Sequence, residues 1–144
     1  LDLPSTLPSA FQNANVIFAV SDFWGIFGDP ANAAKAKDQP LNVWAANHEI
    51  EQLKSVIDAA AKVPTLERFV FSSLSDATKW SRGKYTHVYH FDSKAKAEAY
   101  GRETYPELWK KTSIFQAGFF LSNYLSLPIF QAQMVSSSPV DLAV

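Results

Sequence analysis

ERFVFSS, residues Glu67 to Ser73, is the stretch on which the fold turns. An apolar run this short, rich in β-branched and aromatic residues, predicts a strand buried on both faces, as in a parallel sheet. VIFAV, Val16 to Val20, reads the same way, and TSIFQA, Thr112 to Ala117, supplies a third strand. Between the first two runs Asn47 is the predicted N-cap of a helix. Its apolar face carries Ile50, Leu53, Ile57 and Ala60 at spacings of three and four, and Pro64 ends it. Between the second and third runs Asp92 is the predicted cap of a helix from about Ser93 to Thr104, closed by Pro106. Upstream, LPSAFQNA, Leu7 to Ala14, predicts a short helix. Ser21 to Pro40, punctuated by Gly25, Gly28, Pro30 and Pro40, predicts mostly loop, and Leu74 to Tyr89 is a polar stretch. Strand, helix, strand, helix, strand is the order of an α/β fold, a parallel sheet with right-handed crossovers. No repeat, low-complexity tract or inner linker divides the 144 residues.

Composition narrows the function classes. The formal net charge of −1 speaks against a broad basic face for nucleic acid, because such binding depends on Lys and Arg neutralising phosphates. It leaves room for action on transcription through a protein partner. The sequence has no cysteine, which excludes disulfides, thiolate metal sites and a cysteine nucleophile. It has no N-glycosylation sequon, no signal peptide and no apolar run of bilayer length. A soluble protein without a membrane partner is expected, cytoplasmic, or nuclear if it acts on transcription. The chain opens on Leu1 rather than Met and closes on SSSPVDLAV, so an incomplete chain is expected.

In open parallel sheets ligands bind beyond the carboxyl ends of the strands. That rule selects Ser21, Asp22, Phe23 and Trp24 after the first run, Ser72 and Ser73 after the second, and Gly118, Phe119 and Phe120 after the third. Ser and Asp also stand at strand ends merely to make turns, so each segment has a structural reading beside the functional one.

ANVIFAVSDFWGIF, ERFVFSSLSDATKWSRGKYTHVYHFDSKAKAEAY and TSIFQAGFFLSNY together resemble the NmrA-like family, atypical relatives of the short-chain dehydrogenases. The resemblance runs from about Leu1 to Leu127. Its most specific part is His90-Phe91-Asp92-Ser93-Lys94, which matches the family pattern H-F-D-x-K. It implies a Rossmann-like NAD(P)-binding domain over residues 1–144. The family's N-terminal βαβ unit with its Gly-rich turn and most of its C-terminal subdomain are expected to be lacking: none of the five glycines falls in a G-x-x-G-x-x-G context. NAD and NADP are not distinguished. By the same resemblance Ser21, Asp22, Phe23, Lys94, Phe119, Phe120 and Asn123 are the expected cofactor-binding residues. Asp2 lies close to the acidic position that approaches adenine.

Ordinary short-chain dehydrogenases carry Y-x-x-x-K, with Tyr as general acid/base and Lys one turn on, bonding the nicotinamide ribose. Here His90 stands four residues before Lys94. Tyr89 stands five before it, turned away by about 140° on a helix, and is expected to precede the helix. Two functional readings stay open for His90. Its imidazole, with an ordinary pKa of about 6.5, could donate a proton, or the site is chemically retired and Lys94 only holds the ribose. Each residue also has a structural reading, His90 as a hydrogen-bonded half-buried side chain and Lys94 as a solvated lysine near Glu98. Ser72 and Ser73 match the position of the serine that polarises a carbonyl in the parent enzymes. The resemblance favours an NAD(P)-binding, redox-sensing regulator without dehydrogenase activity. Its partners would be a dinucleotide and a transcription factor or other protein. The alternative is an NAD(P)H-dependent oxidoreductase. His87, His90 and Asp92 lack a second cluster, so no metal is expected. Lys79, Arg82 and Lys84 around Trp80 read as a solvated loop.

Overall fold

The computed structural model describes residues 1–126. A 3₁₀ turn, Pro4–Thr6, leads into α1 (Leu7–Ala10) and β1 (Val16–Ala19). There follow α2 (Phe23–Gly28), α3 (Pro30–Ala36), α4 (Leu41–Ala60) and β2 (Arg68–Ser72). The chain continues through α5 (Ala77–Trp80), α6 (Tyr89–Thr104), α7 (Pro106–Lys110), β3 (Thr112–Phe115) and α8 (Asn123–Ser126). The sheet is parallel, in the order β1-β2-β3, with Ile17 opposite Phe69 and Phe71 opposite Ile114. It is an α/β architecture of Rossmann type.

Because the strands advance in one direction across the sheet, two right-handed crossovers deliver α4 and α6 to the same face. Ile17, Ala19, Phe69 and Phe71 point to that face. They form the core with Leu53, Val56 and Ile57 of α4, Ala97 of α6 and Leu108 of α7. On the opposite face Val16, Phe18, Val20 and Phe115 are exposed, with the rings of Phe18 and Phe115 meeting edge-on at 6.2 Å. This corrects the expectation of strands buried on both faces. The apolar run is present, but helices cover one side only among the described residues.

The predicted helices need three corrections. Residues 21–40 are not mostly loop but hold α2 and α3, each capped by an aspartate. Asp22 accepts from Gly25 N at 3.0 Å and Asp29 from Ala31 N at 2.9 Å. A Cβ on Gly25 would run into the Asp22 carboxylate, so glycine is what lets that cap close. Asp29-Pro30 is a helix-start pair legible in the sequence. α4 begins at Leu41, not after Asn47, with the Pro40 carbonyl accepting from Val43 N and Trp44 N, both at 3.0 Å. α6 begins at Tyr89, so Tyr89 lies inside the helix. Asp92, a buried residue of its first turn, caps α5 instead, accepting from Ala77 N at 2.8 Å, Thr78 N at 3.2 Å and Thr78 Oγ1 at 2.5 Å. The expected end of α6 at Thr104 stands, with Pro106 opening α7. None of the helices in the described residues is long and apolar enough to cross a membrane.

Candidate functional site

Both crossover helices start at the carboxyl ends of the strands, so their first turns stand over the strand-end loops. The third turn of α4 places Glu49, with no exposed surface, against Ser21 of the loop after β1 and against the second turn of α6. A lone carboxylate is not kept in such a place without partners, and Glu49 has three. Its Oε1 accepts from Ser21 Oγ at 2.7 Å and from Lys94 Nζ at 2.5 Å, and its Oε2 accepts from Ser93 Oγ. One side chain thus ties the loop after β1 to α4 and α6. Lys94 is itself buried, so it is not a solvated lysine. Glu98 is instead engaged by Arg102, at 2.7 Å. Of the three N–H donors of Lys94, one is accounted for by Glu49 among the described residues.

His90, one turn before Lys94 on α6, sits in an aromatic group. Its ring lies 4.8 Å from that of Trp24, 5.9 Å from Phe23 and 4.8 Å from Phe91. Burial and, secondarily, the Lys94 ammonium lower the His90 pKa from its ordinary value, against weaker opposing pulls from Glu49 and Asp92. The shift favours the neutral imidazole. Phe23 is buried against Ala45 and Ala46 of α4, and Tyr89 packs on the same cluster, while Trp24 is exposed.

Val20, Ser21, Asp22, Gly25 and Gln52 line a cleft of about 360 Å³ at the end of β1, and Asp2 reaches its edge. Asp2 accepts from Gln52 Nε2 at 2.7 Å and pairs with His48 at 2.7 Å. Those bonds hold its carboxyl below the usual range.

The structure groups Ser21, Asp22, Phe23, His90 and Lys94 at one corner. Ser72 and Ser73 are both buried at the end of β2, with Ser73 N bonded to the Phe115 carbonyl at 2.9 Å. Phe119, Phe120 and Asn123 lie on a separate segment after β3. There Phe119 meets Tyr124 edge-on at 5.2 Å, Phe120 is exposed, and Asn123 opens α8 with its N–H on the Phe120 carbonyl at 2.9 Å. Glu49 is the residue that sequence reasoning missed. The available signal was a carboxylate on the apolar stripe of α4, four residues before Leu53 and seven before Val56.

A parallel α/β sheet with a cleft and buried polar groups at its strand ends is a domain of Rossmann type, in which ligands bind beyond the carboxyl ends of the strands. The sequence matches the NmrA-like family over residues 2–143, and the chain belongs to that family, whose members generally bind NAD(P). No curated protein matches it.

Proposed function

We propose that this chain is the nicotinamide-side part of an NAD(P)-binding, redox-sensing regulator that carries out no dehydrogenase chemistry. The carrying observation is the corner itself. Ser21, which lines the strand-end cleft, and Lys94 meet on Glu49, and a buried ammonium with donors to spare is chemistry that suits the hydroxyls of a ribose. Asp22 lines the cleft, Phe23 and His90 wall the adjoining corner, and Phe119, Phe120 and Asn123 belong to the loop that would flank the nicotinamide. Ser72 and Ser73 complete the strand-end set. The bound redox form would be read out by a transcription factor or other protein partner.

A reductase using His90 as proton donor is the competing reading. The lowered His90 pKa, set first by burial among aromatic rings, argues against it, since a general acid must carry the proton it gives. Titration with NAD+, NADH, NADP+ and NADPH tests the binding claim, and no affinity for any of the four defeats it. Lys94→Ala is expected to weaken binding by about 1.5–3 kcal/mol for each charge-assisted hydrogen bond lost; unchanged affinity removes Lys94 from the ligand. Cofactor oxidation over a panel of quinones and aldehydes, abolished in His90→Ala, would establish the reductase instead.

A further inference from the structure

We infer that Glu49 is a positioning residue that decides what Lys94 can bind, directing its ammonium to a neutral hydroxylated group and excluding phosphate. The inference rests on the reading that the strand-end cleft holds the ligand, and adds to it a rule of selection. A lysine at a strand end, left with its charge uncompensated, is a phosphate site. Here the charge is compensated in place. The Lys94 side chain is 9% exposed and that of Glu49 0% exposed, so little water screens them and each charge sees chiefly the other. Of the neighbouring ionisable groups, Asp92 accepts from α5 residues with both oxygens, and burial lowers the His90 pKa.

The carboxylate cannot turn away to uncover the lysine. Ser93 holds Oε2 while Ser21 and Lys94 share Oε1, so three donors from two elements fix its plane. The corner is uncharged in sum, and its remaining hydrogen-bonding capacity is the two other Lys94 N–H groups and the lone pairs of Ser21 Oγ. A hydroxyl pairs with both, donating to one and accepting from the other. A phosphate would bring acceptors and negative charge alone, toward a carboxylate already at hydrogen-bond distance from Ser21 and Lys94.

Glu49→Gln keeps the shape and removes the charge. Thermal unfolding of the chain in inorganic phosphate, against chloride at matched ionic strength, tests the proposal without any dinucleotide. The wild-type chain is expected to show no phosphate-specific stabilisation. E49Q is expected to bind phosphate about tenfold more tightly, equivalent to ~1.4 kcal/mol, and Lys94→Met added to E49Q must erase the gain. Equal phosphate affinity in wild type and E49Q overturns the proposal, as does a gain that survives in E49Q/K94M. If E49Q does not fold alone, phosphate is expected to restore its folded state by supplying the missing counter-charge, and failure to do so also overturns it. A wild-type chain that binds no NAD(P) sinks the cofactor reading while leaving this comparison intact.

Discussion

Over the carboxyl ends of the strands α4 and α6 are joined by polar groups, Glu49 receiving Ser93 and Lys94. One to two turns further along, the same helices line the apolar core with Leu53, Val56, Ile57 and Ala97, and Gly101 lets the Trp109 ring close against the helix. Both ends are buried, but by different rules. The apolar end gains from every methylene removed from water. The polar end repays the desolvation of two ions only through their mutual attraction, and an apolar pair of similar size would hold the helices as well or better. The Glu49–Lys94 pair is therefore weak evidence of stability.

That contrast can be broken by substitution. The largest effect is expected at the polar end, where Glu49→Ala strands a buried ammonium and should cost about 3–5 kcal/mol in denaturant unfolding. Adding Lys94→Met should recover much of that loss, because both charges are then gone. Strict additivity of the two would mean that this end behaves like ordinary core. At the apolar end Gly101→Ala drives a methyl into the Trp109 ring, which packs between Phe69, Phe71 and α6. The expected cost is about 1–3 kcal/mol, read from the unfolding midpoint, and wild-type stability in G101A would show that the ring can move aside.

The smallest effect lies outside both ends, where Tyr100 OH donates to Asp58 Oδ1 at 2.6 Å. That bond to a carboxylate, with some burial, raises the Tyr100 pKa above its ordinary value, and Tyr105 is raised by the same carboxylate. A phenol whose pKa is higher folded than unfolded contributes stability that is complete below about pH 10 and is lost as pH climbs through the raised value. Tyr100→Phe should cost about 1 kcal/mol at neutral pH and flatten the alkaline limb of the stability curve. An unchanged limb would assign that dependence to other groups.

Much of the fold was legible in order and type. Three apolar runs became β1, β2 and β3, and the periodic segment from Ile50 to Ala60 became the body of α4. Boundaries were less legible where a helix carries apolar residues on more than one face, as Leu41 to Ala46 do, since periodicity then marks no start. α2 was missed because Gly25 and Gly28 read as breakers, although Asp22 needs the first of them for its cap. Of the site, Ser21, Phe23, His90 and Lys94 were placed together by the resemblance and are together in space. Glu49 was not found, because its partners stand 28, 44 and 45 residues away and no local pattern announces them.

The sequence by itself determined the α/β class and the family, both of which depend on local periodicity or on a contiguous string such as HFDSK. Only the tertiary structure decided that the strands are covered on one face, that Asp92 caps a helix other than its own, and that Lys94 is bound to Glu49. Each of those is a contact between segments distant in the chain. Its energy comes from desolvation and charge pairing that exist only once α4 and α6 share one face of the sheet.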